Sequence, residues 1–311
     1  MRVQETAEAL VHAVTQVILG KDQVVRHIVA AILAQGHVLL EDVPGTGKTM
    51  LAKTLAQAIG GTSRRVQMTP DLMPADLTGI NYFNMKTAQF EFMPGAVFTN
   101  ILIADEINRA TPKTQAGLLE SMEERQVTID GVTYELPRPF LVLATQNPID
   151  TQGVFPLPEA QIDRFLMKLS MGYPGYEDEM QVLLRHMDIR PEIQSAQAVT
   201  QEQIQKAMEE VNQVAIHPDL VAYVTRILEE SRNRKEVLLG ISTRGGLALI
   251  RASRAWAAMA GRDYVLPDDI KEMAEPVLAH RLVLKNSLQV KEGAAKQIIG
   301  ELLGQVAVPA E

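Results

Sequence analysis

Val38-Leu-Leu-Glu-Asp-Val-Pro-Gly-Thr-Gly-Lys-Thr-Met50 decides how the rest of the chain is read. A short apolar run, Val38–Leu40, gives way to a turn carrying Gly45 and Gly47, and then to Lys48, Thr49 and a segment with Leu51, Leu55 and Ile59 at helical spacing. The pattern is strand, loop, helix. A loop with little side-chain bulk lets successive backbone N–H groups converge on one anion, and the helix that follows brings its positive dipole end to the same place. A triphosphate suits such a cradle, formed here by Pro44, Gly45, Thr46, Gly47, Lys48, Thr49 and Met50. Lys48 is placed to reach the outer phosphates and the Thr49 hydroxyl to ligate Mg²⁺, as in the pattern G-x-x-x-x-G-K-S/T. The first glycine of that pattern is Asp42 here, a residue that also adopts turn geometry, at some cost.

Working outward, two helices are expected ahead of this stretch, over residues 3–19 and 22–35, with Leu19-Gly20-Lys21 as the break between them. Two readings of Gly20 are open: a plain helix–helix turn, or a surface against the adenine base, as in many ring-forming phosphate-loop proteins. Beyond Gly60-Gly61 a second strand runs from Arg65 to Met68, and Thr69–Thr99 then interrupts the strand–helix alternation with two proline turns, a short helix signal and Tyr82, Phe83, Phe90 and Phe92. We read it as an insertion whose aromatics close a small hairpin core in preference to the alternative, direct contact with a partner.

The third strand, Asn100–Ala104, is nearly all apolar, as expected of a parallel strand covered on both faces. It ends in Asp105-Glu106, 57 residues after Lys48. Burying carboxylates without partners costs several kcal/mol, and a metal ion supplies the partner. Asp105 suits a hold on Mg²⁺, and Glu106 suits polarising a water for attack on the terminal phosphate. A helix over Thr111–Glu124 with Pro112 in its first turn follows, then a β-hairpin around Asp130-Gly131 in residues 126–136. The strand Phe140–Ala144 delivers Thr145-Gln146-Asn147 to the same edge, where Asn147 either orients the attacking water or starts a turn before Pro148. A fifth strand covers Phe165–Leu169, preceded by Arg164, for which a surface ion pair is the plain expectation. From Gly172-Tyr173-Pro174-Gly175 onward everything reads as helical, with Thr200, Thr243 and Pro267 as start signals and Arg244, Arg251 and Arg254 on a solvated face.

Composition narrows the function. The 311 residues contain no cysteine, which excludes disulfides and thiolate metal sites, and the six histidines form no metal-binding cluster. No apolar run approaches the ~20 residues of a membrane span, and no apolar signal core stands at the N-terminus, so a cytoplasmic protein is expected. Net charge is −8; residues 1–172 carry 14 Lys/Arg against 18 Asp/Glu and residues 173–311 carry 16 against 20. A broad nucleic-acid surface is therefore not expected.

Five segments together resemble the MoxR branch of the AAA+ ATPases and, less closely, the magnesium-chelatase motor subunits. They are G-H-V-L-L-E-D-V-P-G-T-G-K-T (Gly36–Thr49), A-D-E-I-N-R-A (Ala104–Ala110), P-K-T-Q-A-G-L-L-E-S-M-E-E (Pro112–Glu124), F-L-V-L-A-T-Q-N-P (Phe140–Pro148) and F-P-L-P-E-A-Q-I-D-R-F (Phe155–Phe165). The resemblance implies an α/β fold: an αβα core over residues 1–172 with a parallel five-stranded sheet ordered 5-1-4-3-2, then a small all-α lid over residues 173–311. Residues 69–99 and 126–136 correspond to the two insertions of the family. It implies ATP and ADP as ligands, Mg²⁺ as cofactor, and ATP hydrolysis. Carried over, Lys48 and Thr49 bind phosphate and Mg²⁺, Asp105 is the metal-side acid, Glu106 the base and Asn147 the first sensor. Arg164 becomes an arginine finger reaching a neighbour's site, Arg244 the second sensor in its own site or the next, and Arg109 a weaker candidate at the subunit boundary.

Homo-oligomers, hexameric rings above all, are implied too, acting on a client protein that awaits a cofactor or metal, with a partner bearing a von Willebrand factor A domain. The alternatives are a nucleotide-gated binding switch and a metal-chelatase motor subunit. A GTP switch would need Asn-Lys-x-Asp, where this chain has Thr145-Gln146-Asn147-Pro148.

Overall fold

The computed structural model describes residues 2–41, 46–147, 153–187, 196–285 and 293–309. Two helices, α1 (Val3–Thr15) and α2 (Asp22–Leu33), lead into β1 (Val38–Glu41), α3 (Lys48–Ala58) and β2 (Ser63–Gln67). The insertion consists of α4 (Pro74–Thr78) and the hairpin β3 (Gly79–Asn84) and β4 (Gln89–Pro94). Next come β5 (Ile101–Asp105), α5 (Pro112–Glu124), the hairpin β6 (Gln126–Ile129) and β7 (Val132–Glu135), β8 (Leu141–Gln146), α6 (Glu159–Ile162) and β9 (Met167–Leu169). The remainder is α7 (Tyr176–Met187), α8 (Gln201–Asn212), α9 (Pro218–Asn233), β10 (Val237–Leu239), α10 (Thr243–Met259), α11 (Pro267–Leu278), β11 (Val283–Leu284) and α12 (Ala294–Gln305).

Five strands form one parallel sheet in the order β2-β5-β8-β1-β9. With the two hairpins left out of the count and the sheet read from the other edge, that is 5-1-4-3-2. Alternation along the strands divides the core. Leu39, Leu102, Ala104, Val142 and Ala144 face Leu118, Leu119 and Met122 of α5, while Val38, Leu40, Ile101, Ile103, Leu141 and Leu143 face Leu51 and Leu55 of α3. The second cluster continues without a break through α1 and α2 into Ile204, Leu249, Ala252 and Met273 of the C-terminal helices. The N-terminal helix pair is thus packed on the C-terminal half of the chain as well as, through α1, on α3.

Two local expectations are corrected. The region beyond residue 172 is not wholly helical: β10 and β11 pair antiparallel, and strands of two or three residues are too short to show alternation in sequence. The start of α10 is Ser242, whose hydroxyl accepts from the Gly245 N–H at 3.2 Å, and not Thr243, which is the first helical residue. The turn at Asp130-Gly131 has positive φ at both residues (50° and 81°), as a tight hairpin requires. Insertion aromatics do more than close one hairpin: Phe92 of β4 stacks on Tyr134 of β7 at 4.0 Å, and Asn81 donates to Asp130 at 2.8 Å, so the two insertions touch. Phe83 and Phe90 meet edge-on at 5.4 Å yet remain exposed. No helix among the described residues is long and apolar enough to cross a membrane.

Candidate active site

Parallel strands deliver their carboxyl ends to one edge, and the register states which residues meet there. Gln67 stands opposite Asp105, Leu40 opposite Thr145, and Glu41 opposite Gln146. β1 ends at Glu41, opposite Gln146 at the end of β8, and Thr46 and Gly47 lead into α3. Lys48, Thr49, Asp105, Glu106 and Asn147 are therefore brought to a single edge. Of the loop residues expected to cradle phosphate, Pro44 and Gly45 lie outside the described residues.

Gly47 is the residue before α3 and has φ of 83°, a left-handed conformation that an L side chain adopts only with strain. Among the described residues, a Cβ built there would meet nothing within 4 Å. Lys48 and Thr49 form the first two positions of α3, and Met50, the third, is partly exposed. The first N–H groups of a helix have no intrahelical acceptor, so this is a place where an anion is favoured.

Next to it, the acidic pair is held by one hydroxyl. Thr145 Oγ1 donates to Asp105 Oδ1 at 3.2 Å and accepts from the Glu106 N–H at 2.9 Å. Arg65 on β2 donates Nε–H to the other Asp105 oxygen at 2.5 Å, which partners a carboxylate only 7% exposed. Glu106 has φ of 57° and ψ of 53°, left-handed without being glycine. Such a conformation costs on the order of 1–3 kcal/mol and persists where surroundings enforce it. Here the Thr145 bond enforces it, turning the Glu106 side chain away from the strand direction. Its Oε2 accepts from Gln67 Nε2 at 2.7 Å and pairs with Arg109 Nε at 3.0 Å. Arg65, Gln67 and Thr145 were not singled out as site residues from sequence. Arg65 and Gln67 are two positions apart on a strand and so share a face, a signal available only once the strand's neighbour is known.

Mg²⁺ fits this donor set. No group of three or more His, Cys, Asp or Glu side chains able to hold a metal occurs among the described residues, and Mg²⁺ does not need one: it is bound through one or two carboxylates, a hydroxyl and substrate phosphates. Asp105 and Thr49 offer hard oxygens of that kind.

Three expected residues lie elsewhere. Arg164, in the turn between α6 and β9, pairs with Glu123 Oε2 at 3.0 Å and donates to the Leu119 carbonyl at 3.1 Å. Arg244, in the first turn of α10, pairs with Glu123 Oε1. Gly20 has φ of 67° and sits against α7, where Asp178 Oδ2 would be 2.2 Å from an added Cβ. Lys21 Nζ donates to the Tyr173 carbonyl at 2.8 Å, binding that break to the same segment.

The histidines are packing groups where they are buried. His37 accepts the Val142 N–H on Nδ1 and donates from Nε2 to the Met122 carbonyl, both at 3.0 Å, and burial holds its pKa at about 4. His27, beside the Trp256 ring, is likewise lowered to about 4 by burial.

A parallel αβα sheet, a glycine turn opening on a helix N-terminus and an acidic pair on the next strand but one define a P-loop nucleotide-binding ATPase. Residues 37–167 match the family model described as the ATPase family associated with various cellular activities (AAA), and residues 229–301 match the AAA lid domain. The chain belongs to the MoxR family of AAA+ ATPases. It is 42% identical to Chaperone MoxR1 of Mycobacterium tuberculosis over 98% of this chain and 82% of that one. To the uncharacterized protein YeaC of Bacillus subtilis it is 44% identical, covering 97% and 94%. A crystal structure from Cytophaga hutchinsonii of a protein assigned as an ATPase superposes with a TM-score of 0.92 at 37% identity, covering 99% of this chain and 96% of that one. Magnesium-chelatase subunits stand further off: the ChlI homolog of Methanocaldococcus jannaschii is 29% identical over 81% of this chain.

Proposed function

We propose that this chain is an ATP-hydrolysing motor which assembles as a homo-oligomeric ring, hexameric as the family resemblance implies, and remodels a client protein. The observation that carries the reading is the Thr145 hydroxyl joining Asp105 to the Glu106 backbone beside the N-terminus of α3. One bridge fixes a metal-side carboxylate and the backbone of a second acid at the same sheet edge.

In this reading the N–H groups from Gly45 to Thr49 and the Lys48 ammonium bind the phosphates. Thr49 and Asp105 would hold Mg²⁺, which would supply charge neutralisation at the phosphate oxygens. Glu106 accepts a proton from the attacking water at its carboxylate, and Asn147 orients that water. Release of Glu106 from Gln67 and Arg109 precedes this step, because a carboxylate engaged by a guanidinium is a weaker base. Arg164, supplied by a neighbouring copy, stabilises charge on the transferring phosphoryl group, and Arg244 reports the phosphate to the lid. Residues 1–172 and 173–311 are the two units moved against each other, and the joined hairpins β3–β4 and β6–β7 carry the motion to the client. The chaperone naming of the M. tuberculosis relative supports a client protein; the family resemblance implies one that receives a metal or cofactor, with a von Willebrand factor A domain protein as adaptor.

Nucleotide binding and turnover test this together. Glu106→Gln is expected to bind ATP with Mg²⁺ and fail to hydrolyse it, and Lys48→Ala to fail at binding. Parent-like turnover by Glu106→Gln would remove Glu106 as the base, and ATP binding without turnover by the parent would favour a switch.

A further inference from the structure

β2 is an edge strand of the sheet, and its polar side chains divide between two faces. Arg65 and Gln67 share one face: Arg65 donates Nε–H to Asp105 Oδ2 at 2.5 Å, and Gln67 donates to Glu106 Oε2 at 2.7 Å. Arg64 belongs to the other, donating to the Gly95 carbonyl at 2.8 Å at the foot of the β3–β4 hairpin. Charge on an edge strand is an ordinary protection against the addition of another strand. That role asks only for a side chain in solvent. In the register of β2 and β5, Arg65 stands opposite Ile103, two residues short of Asp105, so its side chain runs toward the carboxyl edge to reach the acid.

The two members of this pair are unequally held. Asp105 ends an all-buried strand, its side chain is 10% exposed, and its other oxygen is fixed by the Thr145 hydroxyl. The Arg65 side chain is 55% exposed, so it exchanges its partner for water at little cost. Asp105 is also the carboxylate whose chemistry suits Mg²⁺. A guanidinium and a divalent cation drawn to one carboxylate repel each other. Of the groups around Asp105, Arg65 is the one able to withdraw.

We propose that Arg65 is the resident counter-ion of Asp105, exchanged for Mg²⁺ when nucleotide binds, and that its charge sets how strongly the metal is drawn into the site. The proposal rests on the reading of Asp105 as the metal-side acid. Exchange of one cation for the other leaves a nearly buried carboxylate partnered throughout, where an unpartnered one would be costly. The competition also weakens the hold on the metal relative to a site without the arginine. Arg65 is then a positioning residue for the reaction, acting through Asp105 and touching no phosphate.

Binding measurements on the full-length chain test this without turnover. The quantity read is the factor by which Mg²⁺ tightens ADP, from equilibrium dialysis with excess Mg²⁺ and with EDTA. Arg65→Gln removes the competing charge, and that factor is expected to rise by about tenfold over the parent. Arg65→Lys keeps the charge and should give a parent-like factor. A merely structural arginine acts in the opposite sense, since its loss would loosen Asp105 and lower the factor in Arg65→Gln. A lowered or unchanged factor in Arg65→Gln therefore overturns the proposal, and so does an equal rise in Arg65→Lys. Urea midpoints give a second reading that holds even where Arg65→Gln is poorly stable. Its midpoint is expected to lie below the parent's without ligands and to approach it with Mg²⁺ and ADP, because the metal then partners Asp105; an undiminished deficit with both present overturns the exchange. Asp105→Asn separates the two ideas. Loss of the Mg²⁺ effect there supports Asp105 as the metal-side acid whatever becomes of Arg65, and a parent-like factor there removes that reading and the exchange with it.

Discussion

Two clusters of charge on this chain are built in opposite ways. At the sheet edge, Asp105 and Glu106 sit at the end of an all-buried strand, are bridged by the hydroxyl of Thr145, and have the N-terminus of α3 beside them. At the junction of α5, α6 and α10, Arg164, Glu123 and Arg244 meet on an exposed surface, and the residues come from three separated segments. The first cluster pairs each of its acids with an arginine of its own, Arg65 on Asp105 and Arg109 on Glu106; the second sets two arginines on one acid, at a cleft that Glu120 and Glu124 also line. A single chain holds the two apart. In our reading a working site is made from the edge of one subunit and the arginine face of the next.

Substitutions can break that contrast, and the largest effect is expected at the arginine face. Arg164→Ala should lower the ATPase rate by about 10³–10⁵-fold, the range of a transferred arginine, while ATP binding by the same subunit stays close to the parent. Equal loss of binding and turnover would place Arg164 in its own subunit's site. At the edge, Glu106→Gln should lower turnover by about 10²–10⁴-fold, as expected for removal of a general base, with ATP and Mg²⁺ still bound by equilibrium dialysis.

Thr145→Val sharpens the comparison, since it removes only the bridging hydroxyl. It leaves the Glu106 N–H without that acceptor, at a cost of about 1–3 kcal/mol. Urea unfolding should record a loss of that order, and kcat should fall with it by about tenfold. Unchanged kcat would show that the left-handed backbone at Glu106 is held by something else.

Much of the sheet edge was legible in sequence because its parts are contiguous. Val38–Leu40 followed by Gly47-Lys48-Thr49, and Ile101–Ala104 followed by Asp105-Glu106, are each strand and function in one run. The Asp130-Gly131 turn was legible for the same reason: its chemistry is local. Arg65 and Gln67 were not, since their role depends on β2 lying beside β5 in a given register. Neither was the Glu123 cluster, whose members are 41 and 80 residues apart along the chain. No periodicity links them; only the packing of α10 against the core brings them together. Arg164 was expected as a surface ion pair on general grounds, and it makes one. What sequence could not state is that Arg244 shares its acid.

The smallest effects on turnover are expected from the buried histidines, which lie in neither cluster and act on stability alone. His37 and His27 are held at about 4 by burial, against 6.5 in an unfolded chain. Between those values the unfolded chain binds more protons, so the stability each contributes is present above pH 6.5 and lost as pH falls toward 4. The loss is roughly 3 kcal/mol for each at most. Urea midpoints should therefore fall between pH 7 and pH 5, and a flat profile across that interval would contradict the neutral, doubly bonded state of His37.

The division of one site between two subunits is tested by mixing. Glu106→Gln subunits, which keep Arg164, and Arg164→Ala subunits, which keep Glu106, should each be inactive alone. Activity that returns when the two are combined is the expected result, because an intact sheet edge then meets an intact arginine face. Absence of activity in a mixture whose members fold, bind ATP and co-assemble would contradict it.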